Sequence, residues 1–104
     1  MSEGTGTAST EFATQTSWLA RIHVTLKPVV LDPQGDAVLL GLHQLGFAGV
    51  SGVRVGKYLE VTFTAVDQQQ AEAAVHDMCA RLLANPVIER YDFLVERLDA
   101  PAAH

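Results

Sequence analysis

The strongest constraint on the fold is a strict alternation of apolar and polar residues between positions 20 and 27. Ala20, Ile22, Val24 and Leu26 alternate with polar side chains. This period of two is typical of a β-strand with one buried face. Pro28 follows at the point where a missing backbone donor does least harm. The chain therefore needs partner strands and a second layer that covers the apolar face.

Two helices are predicted from their start and stop signals. Asp32, followed by proline, caps the first helix, and Gly46 fits a left-handed stop. Asp67 caps the second helix, which ends at Asn85 and Pro86 because proline cannot extend it. The apolar stripes expected to face the core are Val38, Leu42 and Leu45 in the first helix, and Ala71, Val75, Met78 and Leu82 in the second.

Three further strands complete the predicted order. Their apolar positions are Val50, Val53 and Val55, then Leu59, Val61 and Phe63, then Val87, Tyr91, Phe93 and Val95. The short gap at Gly56 and Lys57 predicts a hairpin between the second and third strands. The order βαββαβ predicts an α+β, ferredoxin-like fold. In that fold a four-stranded antiparallel sheet carries both helices on one face, and the other face is polar.

Length and composition predict one domain with short tails. The chain has 104 residues, of which 48% are hydrophobic, so a folded core is expected. Residues 1–17 are rich in Thr, Ser and Gly, contain no Lys or Arg, and are predicted to be a flexible tail rather than a signal peptide. The domain is assigned to residues 18–98, and residues 99–104 are predicted to be a frayed end.

Charge and cysteine content exclude several function classes. The net charge of −5 argues against a general nucleic-acid binder, since such a chain does not attract phosphate backbones. The apolar runs are too short to span a bilayer. The single cysteine permits no intrachain disulfide, and nothing indicates an oxidising compartment. We therefore expect a cytoplasmic protein that binds neither nucleic acid nor membrane.

No catalytic or metal-binding site is predicted from the motifs. The segment from Gly52 to Lys57 has three residues between its glycines where a phosphate-binding loop requires four. The four histidines lack metal-ligand spacing, and Cys79 has no activating neighbour in sequence. An RNA-recognition module would need aromatic residues on the open sheet face, and an acylphosphatase would need an arginine-bearing loop after the first strand. Neither pattern is present.

Four segments in the same order resemble the PurS family, the small subunit of bacterial and archaeal phosphoribosylformylglycinamidine (FGAM) synthase. These segments are VTLKP at 24–28, LDPQG at 31–35, VRVGKY at 53–58 and LANPVIE at 83–89. The resemblance runs from about Ala20 to Glu96.

The resemblance implies a non-catalytic subunit that works with a glutaminase, PurQ, and a synthetase, PurL, in purine biosynthesis. It also implies homodimers, or dimers of dimers, that bridge the two catalytic subunits and assist ammonia transfer. No cofactor is expected on this chain, because ATP and Mg²⁺ are used by the synthetase. The residues expected to bind partners are Asp32, Gln34, Gly35, Arg54, Lys57, Tyr58, Asn85 and Pro86. Two alternatives are an ACT-like module that binds a small molecule, which has the same element order, and an independent small enzyme.

Overall fold

A computed structural model describes residues 15–98. The tail predicted at 1–17 lies mostly outside the described residues, as does the end predicted at 99–104. The strands are β1 (Thr16–Leu26), β2 (Gly56–Ala65) and β3 (Glu89–Arg97), and the helices are α1 (Pro33–Gln44) and α2 (Gln68–Met78). A single π-helical turn, Cys79–Leu83, extends α2. β1 begins at Thr16, two residues before the predicted start of the domain.

The sheet is antiparallel and has the order β2-β1-β3, so β1 is its central strand. Ala20 lies opposite Val61 on one side and Val95 on the other. Because the alternation of the three strands is in phase, their apolar side chains share one face, and α2 covers that face. Ile22 and Val24 from β1 are fully buried against Val75 and Cys79 from the helical layer.

The prediction of four strands is wrong, since residues 51–55 form no strand within the described chain. Val53 and Val55 are less exposed than Arg54, as the alternation predicted, yet their backbone pairs with no neighbouring strand. The Val55 N–H instead donates to the Asp32 carboxylate at 2.8 Å. The segment therefore crosses the start of α1 rather than joining the sheet, and the predicted hairpin is absent.

The prediction of two helices packed on one face is also wrong, because only α2 packs on the sheet. α1 has the predicted Asp32 cap, and Gly46 beyond its end has a φ of 101°. However, α1 makes no substantial packing contact with any strand or with α2. Val38 and Leu45 of its apolar stripe are consequently exposed within a single chain.

The second helix departs from prediction only at its end. Asp67 caps it by accepting from the Gln70 N–H at 2.8 Å. Ala71 and Val75 are buried as predicted, whereas Leu82 is 82% exposed. The π-helical turn rotates the last residues relative to a continued α-helix, so Leu83 packs on the core in its place.

The open face of the sheet is polar, as expected, and it carries an ion pair and a contact between a histidine and a carboxylate. Arg21 pairs with Glu96 at 3.1 Å, and His23 lies 3.7 Å from Asp92. One position predicted for the apolar face of the last strand differs, since Val87 precedes β3 and is exposed.

Candidate partner-binding surface

Five of the eight predicted partner-binding residues lie together at one end of the sheet. There β1 ends, β2 and β3 begin, and α1 starts. A cavity of about 220 Å³ opens between these elements. Its lining residues are Val24, Leu26, Asp32, Gln34, Val55, Gly56, Lys57 and Glu89. Gly35 and Arg54 are chain neighbours of this lining. We call this region the loop-end surface.

Asp32 organises the loop-end surface from within. One carboxylate oxygen accepts from the Gly35 N–H at 2.9 Å, and the other accepts from the Val55 N–H at 2.8 Å. Its side chain therefore caps α1 and also fastens the irregular segment before β2. The bond from Val55 lowers the pKa of Asp32 most, followed by the bond from Gly35, while burial opposes them and the charge of Arg54 adds to them. Asp32 is only 4% exposed, so its role is to position its neighbours.

Replacing Asp32→Asn is expected to lower stability in a pH-dependent way. The lowered pKa means that the ionised carboxylate is favoured in the folded state. Its contribution is therefore present above its ordinary pKa of 3.8 and is lost as pH falls through the lower folded value. Melting curves should show the variant several degrees below the wild type at pH 7. The two curves should converge below pH 3.8, and a gap that is independent of pH would contradict this account.

Gly35 is required by close packing rather than by an unusual backbone angle. A β-carbon at this position would clash with the Val53 carbonyl oxygen and lie 2.8 Å from the Asp32 carboxylate. The crossing of residues 51–55 over α1 is therefore possible because residue 35 has no side chain. Gly35 is buried, so it shapes the loop-end surface from beneath.

Gly35→Ala is expected to destabilise the chain by about 1–3 kcal/mol, because the backbone it meets cannot move aside cheaply. Denaturant unfolding monitored by circular dichroism measures this loss. Gly52→Ala is the matched control, since no atom of the described residues lies within 4 Å of a β-carbon there. The control should change stability by no more than about 0.5 kcal/mol. Equal behaviour of the two variants would contradict the clash.

Arg54 joins two loops and keeps its charge at the surface. Its Nη2 group donates to the carbonyl oxygens of Lys27 at 3.0 Å and Val30 at 3.1 Å. These bonds hold the segment before β2 against the loop that follows β1. Its other three N–H donors make no hydrogen bond within residues 15–98.

The sequence predicted that Lys57 lies in a hairpin turn, and this is wrong. It is the second residue of β2 and lies opposite Val24, so it shares a lining with Gln34 and Glu89. An ammonium and a carboxylate therefore line the same cavity. Lys57 is exposed and available to a docked protein.

Tyr58 lies on the opposite side of the sheet from Lys57. Its hydroxyl donates to Glu60 at 2.9 Å, and its ring lies 4.9 Å from the His23 ring, centroid to centroid. Partial desolvation, followed by the bond to Glu60, raises the pKa of Tyr58. Tyr58 thus belongs to the open sheet face, and the structure separates it from the loop-end surface.

Asn85 and Pro86 form the turn before β3, next to the loop-end surface. The Asn85 side chain accepts from the Val87 N–H at 3.0 Å, and its backbone N–H donates to Glu89 at 2.7 Å. Glu89 also lines the cavity, so it connects this turn to Lys57 and Gln34. Asn85 and Pro86 are both exposed.

The sequence prediction omitted Glu89 and Arg90, which begin β3 at this end of the sheet. The strand register places both residues beside the end of β1, since Arg90 lies opposite Thr25 and Glu89 lies opposite Leu26. The apolar residues exposed in the loop before α1, Val29 and Leu31, were also omitted.

Within residues 15–98 no three His, Cys, Asp or Glu side chains are grouped as metal ligands. In the same part of the chain, no helix is long and apolar enough to cross a membrane. Cys79 is buried, and burial raises the pKa of its thiol, which is the opposite of nucleophile activation. With its three-stranded antiparallel sheet and two helices, the described chain is a small α+β protein.

Comparison with known proteins identifies the family. The model of the family described as "PurS: Phosphoribosylformylglycinamidine (FGAM) synthase" matches residues 19–97. The chain therefore belongs to the PurS family. A curated relative from Synechocystis, named phosphoribosylformylglycinamidine synthase subunit PurS, is 53% identical over 80% of this chain and 83% of its own length.

Solved structures agree with this assignment. PurS from Bacillus subtilis has a TM-score of 0.69 and 44% identity, and the match covers 76% of this chain and 98% of that one. A chain in the structure of PurLQS from Thermotoga maritima has a TM-score of 0.69 and 29% identity, with 79% and 98% covered. The alternative of an ACT-like module finds no support in these matches.

Proposed function

We propose that this chain is the non-catalytic FGAM synthase subunit that bridges the synthetase PurL and the glutaminase PurQ. In this role it assists ammonia transfer during the conversion of formylglycinamide ribonucleotide to FGAM. Glutamine hydrolysis and ATP use with Mg²⁺ take place on the partners, and this chain holds no cofactor. The assembly works in the cytoplasm.

The observation that carries the proposal is that α1 packs neither on the sheet nor on α2. Val38 is 45% exposed and Leu45 is 75% exposed, although both belong to the apolar stripe of an amphipathic helix. Phe47, just beyond the helix, is exposed as well. Apolar side chains grouped on an unpacked element are typical of a surface that another protein covers.

We assign the apolar stripe of α1 to a second copy of this chain. The sheet has three strands and one packed helix, and both β2 and β3 are edge strands that could accept another strand. Beside α2 is an apolar cavity of about 330 Å³, lined in part by Val61, Met78 and Leu82. A helix from a second copy that enters this space restores the missing second helix of the layer. Two-fold symmetry then fills both cavities at once.

The loop-end surface is assigned to the catalytic subunits. It combines a rigid frame, held by Asp32 and Gly35, with exposed polar side chains from three elements, among them Arg54 and Lys57. Loops positioned on a rigid scaffold are the usual location of binding residues. A symmetric dimer presents this surface twice, which gives a bridge its two points of attachment.

Reconstitution from purified subunits tests the proposal. PurL and PurQ from the same organism are mixed with and without this chain, and glutamine-dependent FGAM formation is measured together with co-elution on gel filtration. A chain that neither co-elutes with the other subunits nor affects turnover is not the bridge.

A further inference from the structure

A second notch lies beside the loop-end surface, on the open side of the sheet. It has a volume of about 300 Å³ and is lined by Thr25, Leu26, Pro28, Arg54 and Arg90. Two of the five lining residues are thus arginines, and none is acidic. Arg54 was expected to bind a partner, whereas Arg90 and Thr25 were not.

The two arginines reach this notch from different parts of the chain. Arg54 is fixed through its Nη2 group by the carbonyl oxygens of Lys27 and Val30. Arg90 is placed by strand register, since it lies opposite Thr25 on the central strand. The arrangement is thus part of the frame of the sheet and its first loop.

Neither guanidinium is neutralised by an ion pair among residues 15–98. The ion pairs there are Arg21 with Glu96 and Arg81 with Asp77, and the His23 ring lies 3.7 Å from Asp92. The charge of Asp32 acts on Arg54, but its two oxygens accept from the Val55 and Gly35 N–H groups. The notch therefore holds positive charge on a chain whose net charge is −5.

We propose that this notch binds an aspartate or glutamate side chain of a catalytic subunit, with Arg54 and Arg90 as the donors and Thr25 in its lining. The Arg90 guanidinium can offer a carboxylate two parallel N–H donors for its two oxygens. The Nη2 group of Arg54 already donates to two carbonyl oxygens, so Arg54 contributes its charge and its remaining N–H donors. The inference rests on the proposed function, and it deepens it by stating the chemistry of the contact.

A side chain delivered by a docked protein suits this notch better than a free anion. Both arginines are exposed, and in water an exposed pair of charges gains little from a mobile ion. A docked subunit removes that water, which strengthens the same interaction. The position also fits, since four of the seven Lys and Arg residues (Lys27, Arg54, Lys57 and Arg90) cluster at this end of the sheet.

Charge reversal at Arg90 tests the notch. Arg90→Glu is expected to weaken assembly with the catalytic subunits at least about tenfold, because attraction becomes repulsion. Arg97→Glu is the matched control, since it makes the same charge change on an exposed residue of the same strand outside the notch. It should alter affinity less than about twofold. Arg90→Gln, which only neutralises the charge, should give an intermediate loss.

Affinity is measured by titration of labelled chain into the catalytic subunits, and circular dichroism establishes that each variant folds. A charge-reversing Asp→Lys or Glu→Lys change on a catalytic subunit that restores binding of Arg90→Glu would identify the bound side chain. If the wild type assembles and Arg90→Glu assembles equally well, the notch proposal is overturned while the proposed function stands. The notch proposal is likewise overturned if millimolar phosphate binds the notch of the free chain but Arg90→Glu leaves assembly intact. Failure of the wild type to assemble counts against the proposed function itself.

Discussion

A mixture of PurL and PurQ without this chain is expected to form almost no FGAM from glutamine, whereas adding the chain restores turnover. The physical reason is that ammonia released at one enzyme is diluted into bulk solvent unless the two active sites are held together. Bridging converts that step into transfer at high effective concentration. The measurement is FGAM formation with glutamine as the nitrogen donor.

A high concentration of an ammonium salt in place of glutamine is the control. Bulk ammonia needs no bridge, so PurL alone should then support synthesis whether or not this chain is present. The chain by itself should show neither glutaminase nor synthetase activity. Full glutamine-dependent turnover in the mixture that lacks the chain would overturn the bridging role.

The double variant Val38→Asp with Leu45→Asp is expected to convert a dimer into monomers. Both side chains are exposed within one chain, so folding of the monomer should change by only about 0.5 kcal/mol per site. In the dimer the same positions become buried, and each substitution occurs in both copies, so the loss of dimerisation free energy is doubled. Loss of apolar burial at four positions should raise the dimer dissociation constant by at least about 1,000-fold. Sedimentation velocity at micromolar concentration measures the change.

Leu40→Asp provides a control on the same helix. Leu40 is 59% exposed, which lies between Val38 at 45% and Leu45 at 75%. It lies on the opposite side of α1, because two residues turn a helix by about 200°. This variant should remain dimeric. A wild-type chain that sediments as a monomer, or equal dissociation of all the variants, would contradict the assignment of the stripe to a second copy.

Local signals in the sequence predicted the parts of the fold that depend on local chemistry. Asp32, Gly46 and Asp67 act at the helix ends as predicted. The alternation in β1 correctly identified Ile22 and Val24 as core residues. These successes share a cause, since caps, stops and strand faces are decided within a few neighbouring residues.

The wrong predictions concern features of the fold that depend on residues distant in sequence. The alternation of Val53 and Val55 is the same in a paired strand and in an extended segment whose N–H donates to Asp32. Leu82 continues a helical stripe in sequence, but the π-helical turn moves it to the surface. At the site, Lys57 and Tyr58 were predicted to bind partners together because they are neighbours in one sequence motif. Adjacent residues of a strand point to opposite faces of the sheet, so the two side chains lie apart. Arg90 could be placed beside Arg54 only once strand register was known.

The strand order has a consequence for the sequence of events during synthesis. β1 is made first, yet it is the central strand, and its two neighbours are made later. Leu26 pairs with Glu89, so one side of β1 remains without a partner until β3 has been made. Contacts so distant along the chain slow folding. A nascent chain that has paired only β1 with β2 therefore exposes the hydrogen-bonding edge of β1 that β3 will later occupy. Premature association between nascent chains would begin at that edge.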